Sequence, residues 1–189
     1  MRAALLFAVL LLSGCTALPT PRPAQPGDLV DAFRVSGRFA VRADAESGSG
    51  RLTWEHRPAT DELILSTPIG TGLARLLRAN GVYTLTTSDG RTESDPDPDA
   101  LTEKLLGWRL PIAGLPYWIR GRELPGAPVE ATRDARGRLE RMSQSGWEIE
   151  YQAYHEGLAV PHRMRLRRNA LDLRLVLDDW QQAPSEVSR

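Results

Sequence analysis

Alternation is what most constrains this chain. In Trp147-Glu148-Ile149-Glu150-Tyr151-Gln152, apolar and polar residues trade places one by one, and Leu171, Leu173, Leu175 and Leu177 do the same against Asp172, Arg174 and Asp178. A period of two is the signature of a strand with one buried and one wet face, and it excludes an amphipathic helix over these stretches. Phe33, Val35, Gly37, Phe39 and Val41 share one face against Arg34, Ser36, Arg38 and Arg42; further on, Leu52, Trp54 and His56 oppose Arg51, Thr53 and Glu55. More strands follow at Leu63 to Thr67, Leu73 to Leu77 and Val82 to Thr86, then at Val129 to Arg133, Leu139 to Gln144, Pro161 to Arg167 and Leu171 to Trp180.

The punctuation agrees. Asn80-Gly81 is the strongest short hairpin signal, Asp89-Gly90 marks another turn, and Ser47-Gly48-Ser49-Gly50 reads as a Gly-Ser turn. Pro68-Ile69-Gly70 places an apolar residue at a turn tip. The pattern breaks once, in mid-chain. Asp95-Pro96-Asp97-Pro98-Asp99 has the acids and prolines of a helix start, and Leu101, Leu105, Leu106 and Trp108 fall on one helical face before Leu110-Pro111 stops it. A second short helix is expected around Leu115, Trp118 and Ile119, ending at Gly121.

About eleven strands with one apolar face and two or three short helices give, on layer rules, a mainly β (α+β) chain. The expectation is one curled antiparallel sheet with the helices packed on its concave side, since so many strands do not stay flat. Two readings of the interior stay open: an ordinary filled core, or an apolar cavity left between sheet and helices. The candidates to line such a cavity are Phe39, Leu52, Trp54, Leu63, Leu65, Leu105, Trp118, Trp147, Ile149, Tyr151, Met164, Leu166, Leu173 and Leu175.

The N-terminus carries a different signal. Met1-Arg2 is a small positive region, Ala3 to Leu12 is apolar, and Leu12-Ser13-Gly14-Cys15 closes it with small residues before a cysteine. Ten helical residues rise roughly 15 Å, half a bilayer core, so the segment is an export signal and not a span. Cys15 is the chain's one cysteine, which leaves an exported protein with no disulfide. Leu12 to Cys15 resembles the lipobox of bacterial lipoproteins. The resemblance implies cleavage after residue 14 and a mature chain that starts with Cys15 bearing S-diacylglycerol and an N-acyl chain. Thr16, in place of the aspartate that holds many lipoproteins in the inner membrane, implies the outer membrane. Thr16 to Gly27 contains four prolines and reads as an extended tether. The organisation expected is therefore 1–14 signal peptide, 15–27 lipidated cysteine and tether, 28–182 one folded domain, with a turn of helix at Asp28 to Ala32, and 183–189 a polar tail.

Chemistry-bearing patterns are sparse. His56, His155 and His162 lie in three segments without ligand spacing, so no metal and no cofactor is expected. No Gly-x-Ser-x-Gly elbow, phosphate-binding loop or calcium loop occurs, and no catalytic residue can be nominated. The sequence holds 24 Lys and Arg against 24 Asp and Glu, which gives no field for nucleic acid. The run Arg163, Arg165, Arg167, Arg168 alternates with Met164 and Leu166 and is read as a wet strand face before a binding patch.

Taken in order, Gly37-Arg38-Phe39-Ala40-Val41 with Trp54, Thr67-Pro68-Ile69-Gly70, Leu110-Pro111, Trp118-Ile119-Arg120-Gly121, Gln144-Ser145-Gly146-Trp147 with Tyr151, Val160-Pro161 and Trp180 resemble the LolB family of outer-membrane lipoproteins. The likeness runs from Phe33 to Trp180. It implies an incomplete antiparallel barrel with a helical lid over a hydrophobic cavity. It also implies a monomeric receptor that takes acylated lipoprotein cargo from a LolA-like periplasmic carrier and delivers it to outer-membrane lipid. Ile69 corresponds to the family's protruding apolar residue, with Ile where Leu is more usual. A tethered structural or scaffold lipoprotein with a filled core is the alternative, and an anchored lipid hydrolase a remote third.

Overall fold

A computed structural model describes residues 32–44 and 46–182. The signal segment, Cys15, the tether, the expected helical turn at 28–31 and the tail 183–189 lie outside the described residues.

Eleven strands form one antiparallel sheet among the described residues, in the order β6-β5-β4-β3-β2-β1-β11-β10-β9-β8-β7. They are β1 (Phe33–Ala43), β2 (Glu46–His56), β3 (Asp61–Ser66), β4 (Gly72–Ala79), β5 (Val82–Thr87), β6 (Thr92–Asp95), β7 (Val129–Arg133), β8 (Leu139–Gln144), β9 (Trp147–Tyr154), β10 (Pro161–Arg168) and β11 (Leu171–Gln182). Between β6 and β7 come α1 (Pro98–Leu106) and α2 (Leu115–Trp118). First and last strands meet at the centre, where Phe39 pairs with Leu175 and Val41 with Leu173. The sheet is unclosed, with β6 and β7 as its free edges. All of β7 is exposed and it carries Glu130 and Arg133, charges that blunt an edge against pairing with another chain.

The alternation does what a period of two requires. Along β11 the pattern sends Leu173, Leu175 and Leu177 inward, and β9 buries Trp147, Ile149 and Tyr151. The outer face is a ladder of ion pairs: Arg38 with Asp178 at 2.9 Å, Arg34 with Glu55 at 2.6 Å, Arg165 with Asp172 at 2.6 Å and Arg167 with Glu148 at 3.4 Å. Two of the four arginines in the basic run thus face acids on neighbouring strands.

Three local expectations need correction. Ser47 to Gly50 is not a turn but part of β2, and the chain reverses earlier, around Asp44. Glycine is needed at Gly50, where a Cβ would lie 2.1 Å from the Ser66 carbonyl oxygen; one on Gly48 would lie 2.7 Å from Cη2 of Trp108, a side chain that can shift. Trp108 is not on the face of α1. Gly107, at φ 80, ends that helix in a left-handed cap and sends Trp108 back across β2. Finally, β6 is a strand that its polar sequence Thr-Glu-Ser-Asp conceals.

The helix start is as its residues dictate. Asp97 caps α1, its Oδ1 accepting from the Asp99 and Ala100 amides at 3.0 and 3.2 Å, and Pro98 follows at the first helical position. Inward residues of the sheet and of both helices form one buried cluster.

Candidate functional site

Residues 98–119 cover the inner face of the sheet, and their two ends are fastened differently. At the α2 end, buried Gln144 of β8 accepts from Trp118 Nε1 at 3.0 Å and from the Leu124 amide at 2.8 Å, and donates to the carbonyls of Leu124 and Ala127. At the α1 end the ties are peripheral: Arg91 donates to the Leu105 carbonyl at 3.1 Å, and Lys104 pairs with Glu93 at 3.0 Å. A buried, charge-free network at one end, against one carbonyl hydrogen bond and one exposed ion pair at the other, makes the α1 end the looser fastening.

Under this cover lies an apolar hollow. Of the expected lining residues, Phe39, Leu52, Trp54, Leu63, Leu65, Leu173 and Leu175 surround it. The remaining wall lies outside the candidate list: Leu110 and Ile112 from the loop of the cover, Leu115 and Ile119 from the expected second helix, and Leu177 from the apolar face of β11. No repeat marks the cover residues, because the loop between α1 and α2 has no fixed period. The hollow leaves about 40 Å³ for the centre of a water-sized sphere. That is room for roughly three waters, and with every wall side chain apolar it stays dry. The other candidates sit elsewhere. Leu105 lines a neighbouring groove, whereas Trp118, Trp147, Ile149, Tyr151, Met164 and Leu166 are closely packed core. Trp118 lies against Trp147 with ring centroids 6.5 Å apart, so this half of the sheet is filled by the α2 end of the cover. Tyr151 stacks on Tyr154 at 6.1 Å, and burial pushes its hydroxyl pKa up.

The groove beside the hollow is larger, about 510 Å³, and open to the surface. It shares Phe39, Leu65 and Leu110 with the hollow and runs to Thr67 and Leu73. Those two residues flank a tight reversal between β3 and β4. Gly70 donates its amide to the Thr67 carbonyl at 2.9 Å, Thr67 donates to the Thr71 carbonyl at 2.8 Å, and the Thr71 amide donates to Thr67 Oγ1 at 3.0 Å. Pro68 and Gly70 stand where a turn favours proline and glycine. Between them Ile69 is 91% exposed on a braced tip, against the usual burial of its residue type.

The opposite pole holds a polar cleft of about 630 Å³, open to the surface and lined by His56, Asp61, Arg78, Tyr83 and Arg120 among others. Asp61 is buried, accepting from Trp54 Nε1 at 3.0 Å, meeting His56 Nδ1 at 2.5 Å and pairing with Arg78. Phe33 stacks on His56 and on Trp180 at 4.8 and 4.9 Å. His155 and His162 meet edge to face at 4.9 Å, and among the described residues no group of three or more His, Cys, Asp or Glu gathers as a metal site would require.

The unclosed antiparallel half-barrel with helices across its inner face is a fold shared with solved structures of low sequence identity. A LolA superfamily protein from Nitrosomonas europaea superposes with a TM-score of 0.52 at 11% identity, covering 82% of this chain and 87% of that one. A putative outer membrane lipoprotein-sorting protein domain from Vibrio parahaemolyticus does so at 0.52 and 10% identity, with 82% and 86% covered. Within that class sequence decides: residues 31–180 match the model of outer membrane lipoprotein LolB. The outer-membrane lipoprotein LolB of Pseudomonas paraeruginosa is 38% identical, with 96% of this chain and 95% of the relative covered. That of Dechloromonas aromatica is 34% identical over 97% and 99%. The chain belongs to the LolB family of outer-membrane lipoproteins and is not an enzyme.

Proposed function

We propose that this protein receives acylated lipoproteins from a LolA-like periplasmic carrier, shelters their acyl chains under the 98–119 cover, and releases them into the outer membrane to which acylated Cys15 anchors it. The observation that carries the reading is adjacency: a wholly apolar hollow shares Phe39, Leu65 and Leu110 with a groove that runs toward a braced turn with Ile69 at its tip. Three acyl chains in water cost tens of kcal/mol at ~0.8 kcal/mol per CH₂, so cargo never crosses unshielded. Hand-off needs no nucleotide if each successive site binds the chains more favourably than the last. The hollow at about 40 Å³ is the closed state, and capture requires the α1 end of the cover to lift. Burying Ile69 in the bilayer recovers about 1.5–3 kcal/mol, which presses the groove mouth to the membrane during release.

Ile69→Glu tests the release step. Receipt of cargo from the carrier should be unchanged while release into liposomes slows several-fold, and an unchanged release rate would remove that role from Ile69. The tight packing of the hollow also supports a second reading, a tethered scaffold with a filled core. Displacement of a fluorescent fatty acid separates the two, because a core that never opens binds no probe.

A further inference from the structure

Trp108 lines the groove beside Leu110, and its indole is left unsatisfied. Its six-membered ring lies on Gly48, where a Cβ would come within 2.7 Å of Cη2 and 3.3 Å of Cζ3. Its indole Nε1, at the other end of the ring system, is buried and has no hydrogen-bond partner. Buried indole N–H groups ordinarily find an acceptor, and one left without loses its hydration for nothing. An indole can only donate, so what is missing here is an acceptor.

The surroundings restrict which acceptor fits. The groove walls around Trp108 are mainly apolar, with Val41, Leu73 and Leu106 beside the three residues shared with the hollow. Its cation, Arg91, is already spent on Asp89 at 2.7 Å and on the Leu105 carbonyl at 3.1 Å. A carboxylate or phosphate would thus enter without a free counter-charge among the described lining residues, at a high desolvation cost. A neutral carbonyl attached to hydrocarbon meets both conditions.

Building on the function proposed above, we infer that the groove is a subsite for the glyceryl ester end of acylated cargo: once the α1 end of the cover has lifted, Trp108 Nε1 donates to an ester carbonyl while the attached chains run past Phe39 and Leu65 into the widened hollow. Arrival of the ester supplies the missing acceptor only when cargo is present, and so favours the arrangement in which the chains have entered. A free fatty acid offers a carboxylate and no ester, and an anionic phospholipid carries its glyceryl esters beside a phosphate that finds no free counter-charge among the described lining residues.

The test uses the purified full chain and two triacyl cysteinyl peptides, competed against a fluorescent acylated peptide. One carries S-[2,3-bis(palmitoyloxy)propyl], the other its 2,3-bis(hexadecyloxy)propyl ether, which keeps the chains and lacks the ester carbonyls. The ester should bind about three- to tenfold more tightly than the ether, the worth of one hydrogen bond. Trp108→Phe should bring the ratio to about one. Because the ratio is internal to each variant, a general loss of folding lowers both affinities and leaves it in place. Equal binding of ester and ether by the unaltered chain overturns the subsite but leaves acyl-chain capture standing. A preference that survives in Trp108→Phe overturns the role of Trp108. Binding of neither peptide overturns the subsite together with the function on which it rests.

Discussion

Single residues show how space, more than polarity, is reserved in this fold. A Cβ at Gly37 would lie 2.1 Å from the Val176 carbonyl oxygen, where the β1 to β11 register shifts and only backbone could yield. Gly37→Ala should therefore cost about 1–3 kcal/mol in denaturant unfolding. At Gly48 the obstacle is the Trp108 ring, a side chain that can move. Gly48→Ala should leave global stability nearly unchanged while exposing Trp108, read as a red shift of its fluorescence in a chain whose other tryptophans are replaced by Phe. The outer face makes a pH prediction. Asp172 sits below its ordinary value of 3.8, chiefly through its hydrogen bond to Arg165 and also through Arg174, and against partial desolvation. A carboxylate lowered on folding contributes its full stability above about pH 4 and loses it as pH falls through the folded value. Asp172→Asn should flatten the fall in stability below pH 4 while lowering it slightly at neutral pH, as followed by urea unfolding at successive pH values.

Elements divide into those whose sequence declares them and those fixed from afar. The β9, β10 and β11 strands were legible because each inward residue faces one continuous core. Two positive φ values, 51 and 77, at Asn80 and Gly81 make the β4–β5 hairpin equally plain. The start of β2 was not legible, since its glycines answer to Trp108, Phe39 and Ser66, which are distant or paired only after folding. The hollow was half legible for a related reason. Period two tells which face of a strand turns inward, but not where along the sheet the cover comes down. Trp147, Ile149 and Met164 are cavity candidates by their face alone, whereas α2 packs onto that half and Gln144 locks it there. The asymmetry of the cover predicts two distinct effects. Asp97→Ala removes the cap of α1 and should cost about 1 kcal/mol, roughly 2–4 °C in Tm, with faster hydrogen exchange confined to residues 98–106. Gln144→Ala leaves the Trp118 indole and the Leu124 amide without their acceptor and should cost about 2–4 kcal/mol, with exchange rising across 115–127.

On the scale of the whole molecule, the two ends of the half-barrel have opposite characters. One holds a polar cleft around Asp61, Arg78 and Tyr83, and the other holds the mainly apolar groove and the Ile69 turn. Under the proposed function, hydrocarbon leaves by the second end and the cover opens on its α1 side. Closed, the hollow is too small for an acyl chain; the cover must swing for the protein to work as a receptor. The most direct test is to mix the protein with a carrier loaded with fluorescently labelled triacylated cargo and follow the label by separation of the two proteins. Acyl-chain capture predicts that the cargo moves to this protein without nucleotide, at about one per chain, and faster with Asp97→Ala. Cargo that stays on the carrier, with the native cover and with the loosened one alike, would contradict it.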